Sequence, residues 1–282
     1  MNIARALFGI VALLGIAYCL SANRHRINWR VVVGGLALQM AIAVGVLQVS
    51  LIESLFGWIA SLFAAALDVS VRAAGFVFGA LSDREQMDAV FGENRGFVFA
   101  FMALPSILFF SALSSLLYYF GILQFVVKMM AWVMSRVMRL SGAESLAAAA
   151  NVFVGQTEAP LLVKPYVLKM TRSELNALMT GGFATIAGSA LAVYIGVLGE
   201  EYGPHLLTAS VMSAPAAFLV AKIMLPESET SVTGGEVKFR LERTANNVIE
   251  AAANGTSDGL KLWLNVIAML IAFTGLVALV DW

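Results

Sequence analysis

The chain has 282 residues, 60% of them hydrophobic and only 13% charged, with a mean hydropathy of +0.85 and a formal net charge of zero. Soluble domains carry about 25% charged residues, and a water-soluble fold of this length has no interior large enough for so much apolar side chain. A polytopic membrane protein is expected, and the position of each charge matters more than the sum. The single cysteine, Cys19, excludes an internal disulfide framework. The bulky Tyr18 before it argues against a lipoprotein-type processing site. Residues Ala6–Asn23 are uncharged and follow Arg5, the outline of a signal peptide. No small-x-small cleavage site follows, so this reads as a retained first helix.

A hydrocarbon core of about 30 Å requires about 20 apolar helical residues. Charge-free runs of that order are Ala6–Asn23, Val31–Ile52, Gly96–Val127, Leu175–Gly199, His205–Ala221 and Leu262–Val280. Two segments resist this reading. In Ser54–Ser82, Asp68 and Arg72 stand four apart on one helical face, where they can pair. Ser145–Val163 is apolar but interrupted by Gly155-Gln156-Thr157-Glu158-Ala159-Pro160.

The positive-inside rule arbitrates. Basic residues gather around Arg24–Arg30, Lys128–Arg139, Lys164–Arg172 and Lys222–Arg243, while Asp83–Glu93 and Glu200-Glu201 are acid-rich. If both doubtful segments return to the side they entered from, all four basic clusters are cytoplasmic and both acidic stretches are outside. The N-terminus is then outside, and Ser54–Ser82 packs along or into the outer face. Leu123–Leu140 becomes a basic amphipathic helix on the inner surface, with Lys128, Trp132, Arg136 and Arg139 at helical spacing. In the polar stretch Pro226–Gly259, Val237–Ala253 reads as a second interfacial helix. Trp29 and Trp263, near span ends, read as interface anchors.

The interrupted segment carries the chemistry. Irregular backbone at membrane depth survives only when buried in protein or lining a wet cavity. Gly155 permits an unusual turn, Thr157 can cap a new half-helix, and Pro160 fits its first turn. The expected result is a re-entrant helical hairpin. Its tip presents carbonyls from the arriving arm and N–H groups from the departing arm, as broken helices do in transporters. Glu158 would be a carboxylate at membrane depth, costly and a functional candidate by default. Gln156 beside it can both donate and accept, which suits a nucleobase edge. The alternative is a cytoplasmic loop between interfacial helices, with Glu158 solvated.

The run Gly155-Gln156-Thr157-Glu158-Ala159-Pro160, followed by Leu161-Leu162-Val163-Lys164-Pro165-Tyr166, resembles the first re-entrant hairpin of the concentrative nucleoside transporters, in their bacterial, sodium-coupled form. The order of early helices, inner amphipathic helix, hairpin and glycine-rich span is similar too. The resemblance implies an all-α membrane fold of about six full spans plus one re-entrant hairpin and interfacial helices, the first half of an inverted-repeat transporter. It implies scaffold helices over 1–121, a first transport repeat over 122–224, and a cytoplasmic linker with the last span over 225–282.

The same resemblance implies a multi-pass homotrimer of the inner (plasma) membrane that imports nucleosides with co-transported sodium. On matching positions, Gln156, Thr157, Glu158 and Ala190 would face the substrate. Asn151, the Val154 carbonyl, Thr185 and Ile186 would hold sodium. Hydroxyl, amide and carbonyl oxygens form a sensible cation site; the other reading of Thr185 is a hydroxyl bonded back to its own helix. The family continues into a second hairpin with an Asn-Glu-Phe-Val-Ala-Tyr run that holds the ribose. That run is missing from the 282 residues, so a chain truncated at its C-terminus is expected. Other readings are a non-transporting scaffold or assembly subunit, a proton-coupled transporter, or a membrane enzyme using Glu158. Against the enzyme, the two histidines, His25 and His205, lie at expected surfaces. No enzymatic activity and no nucleic-acid partner are expected.

Overall fold

The computed structural model describes residues 2–92, 95–153, 155–156, 159–231 and 245–282. Its elements are helical throughout the described residues, and they form two compact units. The first unit comprises Met1–Glu53, Gln124–Ala187 and Thr208–Leu241; the second comprises Ser54–Leu123, Gly188–Leu207 and Glu242–Trp282.

The chain opens with α1 (Asn2–Cys19) and α2 (Trp29–Gln48). Helix α1 stops four residues short of the expected Asn23. The Arg24 guanidinium turns back and donates to the Tyr18 and Cys19 carbonyls at 3.2 and 2.7 Å, satisfying acceptors that a helix C-terminus leaves open. Helix α3 (Ser50–Phe78) is one uninterrupted 29-residue helix. Asp68 and Arg72 are both exposed on it. They are not among the ion pairs of the described residues, so the expected pairing is not formed. Helix α4 (Arg84–Phe91) starts on Asp83, whose carboxylate accepts from the Glu85 and Gln86 N–H groups.

The uncharged run Gly96–Val127 is not one span. It divides into α5 (Phe99–Met102), a turn at Pro105, α6 (Ser106–Tyr119) and the start of α7 (Ile122–Met138). Gly121, at φ +80°, makes the corner before α7, a conformation glycine adopts freely. Next come α8 (Gly142–Asn151), α9 (Ala159–Leu162) and α10 (Lys164–Val167). The uncharged run Leu175–Gly199 also divides, into α11 (Arg172–Ala184) and α12 (Gly188–Leu198), with Thr185–Ala187 irregular between them. Helix α13 (Gly203–Met224) precedes α14 (Val248–Asp281). Helix α14 runs 34 residues without a break, so the interfacial helix expected to end at Ala253 continues directly into the last span; residues 237–244 of that expectation lie outside the described residues.

By length and composition, six helical stretches among the described residues can cross a membrane: Trp29–Gln48, Ser50–Phe91, Phe99–Tyr119, Arg172–Leu198, Glu200–Met224 and Val248–Asp281. The expected number is met with a different membership. Ser50–Phe91 qualifies, whereas the first apolar helix is shorter.

Each unit has its own core. In the first, Val31, Met138, Ala148, Ala177 and Phe218 pack together from five helices. A methyl group on Gly34 would meet the Val137 carbonyl oxygen at 2.6 Å, so α2 and α7 approach to backbone contact. In the second unit, Leu104, Ile107 and Val193 form the centre, with Trp263 and Val266 against them. Trp263 is not a free interface anchor, because it is half-buried and its Nε1–H donates to the Ala100 carbonyl at 3.1 Å. Helix α14 lies on α6 through two glycines one turn apart, the small-residue contact that lets membrane helices pack closely. A methyl group on Gly255 would meet the Ser111 carbonyl oxygen and Ser115 Cβ, each at 2.6 Å. Gly255→Ala is therefore expected to destabilise the protein by about 1–3 kcal/mol through overpacking. Gly275, with nothing within 4 Å of such a methyl, serves as control. Thermal unfolding in detergent should separate the two, with Gly275→Ala neutral or slightly stabilising.

Candidate functional site

The hairpin forms as the sequence implies. Ser141 and Glu144 close a capping box at the start of α8: the Glu144 N–H donates to Ser141 Oγ at 3.3 Å and the Ser141 N–H to Glu144 Oε2 at 3.0 Å. That arrangement satisfies two of the four open donors at a helix start. Residues Ala147–Ala150 then present only methyl groups, all fully buried, which lets neighbouring backbone come close. Helix α8 ends at Asn151, the chain turns at Gly155 with φ +92°, and α9 returns packed against α8. The Ala159 N–H donates to the Gly155 carbonyl at 3.0 Å, and Pro160 stands in the first turn of α9, where its missing N–H costs nothing. Val154, Thr157 and Glu158 lie outside the described residues.

At the arriving end of the tip, Asn151 is 1% exposed, and neither its Oδ1 nor its Nδ2 has a hydrogen-bond partner among the described residues. Burying an unpaired amide costs about 1–3 kcal/mol, so a native structure that does so calls for an explanation. The amide lies against α11, at a place where that helix carries no side chains. A methyl on Gly181 would sit 3.3 Å from Asn151 Nδ2 and 2.8 Å from Phe218 Cε2, and one on Gly182 would sit 3.2 Å from Gln156 Cβ. Gly181 and Gly182 were not singled out in the sequence. Their role depends on α8 and α13 lying beside them, which no local pattern records.

One turn further, α11 ends. Thr185 adopts an extended conformation and its hydroxyl donates to the Gly181 carbonyl at 2.8 Å. This is the back-bonded arrangement, yet donation occupies only the hydroxyl proton and leaves the oxygen's lone pairs available as acceptors. The irregular stretch frees main-chain carbonyls from helical pairing. The Ile186 carbonyl has one long contact, from Ser210 Oγ at 3.5 Å, and Ser210 is itself 1% exposed. Ala187 closes against the hairpin, for a methyl on Gly155 would meet its Cβ at 2.6 Å.

Within the first unit, then, the tip and the broken helix form a cradle: Asn151 and Gln156 meet α11 at Gly181 and Gly182, Thr185 bonds back to Gly181, and Ala187, next to Ile186, meets Gly155. Ala190 lies half-buried on α12, in the second unit. An uncharged set of amide, hydroxyl and carbonyl oxygens suits a monovalent, hard cation. Such ions take oxygen ligands, and neutral ligands avoid the cost of a buried unpaired carboxylate.

Three family models match consecutive parts of the chain. The Na+ dependent nucleoside transporter N-terminus covers residues 8–81, a gate described as nucleoside recognition covers 100–201, and the Na+ dependent nucleoside transporter C-terminus covers 205–282. An uncharacterized transporter of Haemophilus influenzae is 44% identical over 281 residues, covering 100% of this chain and 65% of its own length. The uncharacterized transporter YutK of Bacillus subtilis is 40% identical over 282 residues and covered to 67%. The sodium/nucleoside cotransporter 2 of Rattus norvegicus is 39% identical over 274 residues and covered to 40%. Among solved structures, CNTnw in an inward-facing substrate-bound state superposes with a TM-score of 0.88 at 40% identity, over 99% of this chain and 65% of CNTnw. The chain thus spans about two thirds of its bacterial relatives and less than half of the mammalian one. The three matched models and the relatives aligned along its whole length establish that this chain belongs to the Na+-dependent nucleoside transporter family.

Proposed function

We propose that the chain works in sodium-coupled import of nucleosides across the plasma membrane, as part of a homotrimer. The observation that carries this reading is the buried amide of Asn151, unpartnered among the described residues, against the glycine pair Gly181 and Gly182. A sodium ion supplies the missing partner for Oδ1, with Thr185 Oγ1 and the Val154 and Ile186 carbonyls as the other ligands. The ion would bridge the hairpin tip and the broken helix, so that filling the site fixes the tip and raises nucleoside affinity. Gln156, Thr157, Glu158 and Ala190 would then contact the nucleobase. The division into scaffold (1–121), first transport repeat (122–224) and linker with last span (225–282) belongs to the same reading.

Uridine uptake into vesicles, measured with the chain at the full length of its relatives, tests the proposal. Uptake should be strong in sodium and at least about tenfold lower in choline, and Glu158→Gln should abolish it while leaving the trimer intact. Equal uptake in sodium and choline would refute sodium coupling. A silent Glu158→Gln would return that residue to the status of a solvated loop charge.

A further inference from the structure

The three helices that build the cation cradle are also joined at their opposite ends, by a buried lysine. Helix α8 carries Asn151 at its end and Glu144 in its first turn. Helix α11 carries Gly181 and Thr185 at its end and Ser173 with Glu174 in its first turn. Helix α13 carries Ser210 on one side and Lys222 in its last turn. At 1.5 Å per residue, Glu144 lies about 10 Å from Asn151 and Ser173 about 12 Å from Gly181. The two helices therefore run side by side between the lysine and the cradle.

Lys222 Nζ stands 2.5 Å from Glu144 Oε1, 2.9 Å from Ser173 Oγ and 3.4 Å from Glu227 Oε2. The Lys222 and Glu144 side chains are 8% and 3% exposed. The Glu144 oxygen meets the ammonium outside hydrogen-bond geometry, so that contact is an ion pair. The surrounding groups are themselves fixed. Thr171 Oγ1 donates to Glu227 Oε2 at 2.8 Å, Ser173 Oγ donates to the Leu225 carbonyl at 2.7 Å, and Ser231 Oγ donates to Glu174 Oε1 at 2.5 Å.

Stability alone gives no reason for such a cluster. Removing two charges from water costs more than most buried pairs return, and apolar side chains of similar volume hold helices together as well or better. What apolar contact lacks is register, because ridges and grooves allow helices to slide and rotate. An ammonium held by three oxygens from separate segments admits a single height and rotation of α8 against α11.

We propose that Lys222 is a positioning residue for the cation cradle, fixing the register of α8 against α11 and α13 and thereby the spacing of Asn151 from the Thr185–Ile186 break. The dependence on sodium rests on the function proposed above; the dependence on register does not.

The test is Lys222→Met combined with Glu144→Gln, which removes both charges while glutamine keeps the capping box. Register is read by disulfide trapping. The Gln156 Cβ lies 3.2 Å from where a Gly182 Cβ would stand, close to the roughly 3.5–4.5 Å of a disulfide. Gln156→Cys with Gly182→Cys, in a Cys19→Ser background, should therefore cross-link quickly, read by mass spectrometry of the linked peptides. In the Met/Gln background the melting temperature without sodium should be unchanged. The cross-linking rate should fall at least about fivefold, and the sodium concentration giving half-maximal thermal stabilisation should rise about tenfold. An unchanged cross-linking rate overturns the proposal. If sodium fails to stabilise even the native chain, the sodium reading falls, while the cross-linking rate still decides the role of Lys222.

Discussion

Asn151→Leu is expected to abolish the response of the protein to sodium without weakening its fold. Leucine has the same branched outline of four side-chain heavy atoms as asparagine and brings no polar atom into a position that is 1% exposed. In the absence of sodium the native amide is buried and unpaired among the described residues, and replacing such a group by an apolar one of like shape is neutral or stabilising. With sodium the sign reverses. A ligand present at a hundred times its dissociation constant stabilises the native state by about 2.7 kcal/mol, and that increment should vanish in the variant. Thermal unfolding across a sodium series reads both effects: the native melting temperature climbs with sodium while the variant's stays flat, at or above the native value in choline. A variant that melts lower in choline and keeps its sodium response would place Asn151 in the core and outside the site. Function and stability oppose each other at this residue, as is common where a site is held ready for a ligand.

The second large effect is expected at Gly155, where Gly155→Ala should cost about 2–5 kcal/mol and eliminate sodium-dependent uptake. Two independent terms contribute. The residue has φ +92°, a region that charges an L-residue about 1–2 kcal/mol, and the new methyl would meet Ala187 Cβ at 2.6 Å, an overpacking of about 1–3 kcal/mol. Adding Ala187→Gly relieves the clash and leaves the backbone term, so the double variant should recover roughly half the lost stability. The pairwise coupling measured by that cycle reports whether hairpin and broken helix touch in the membrane-embedded protein. No coupling would mean that they do not.

The hairpin was legible in the sequence because its causes are local. Gly155 and Pro160 constrain their own backbone wherever they are placed, and the polar run between them interrupts an otherwise apolar segment. The break at Thr185–Ala187 was not legible as a break. The run Leu175–Gly199 is uncharged throughout and hydropathy reads it as one span, because hydropathy reports the solvent around a helix and not the neighbour that replaces a turn. Its residues entered the candidate site only through likeness to known transporters. Gly181, Gly182 and Ser210 had no local mark at all.

The sequence alone determined that this protein lives in a bilayer and that its backbone is interrupted near Gly155, with the charge pattern favouring a chain that turns back there. These follow from transfer free energies and from backbone constraints, which belong to single residues or short runs. Only the tertiary structure decided that Asn151 is buried without a partner among the described residues, that α11 opposes it with bare glycines, and that Lys222 reaches Glu144 across 78 positions of chain. Those facts are pairings between distant segments. They arise when apolar faces close over one another and leave each polar group either a partner or none, a choice that residue-by-residue chemistry does not contain.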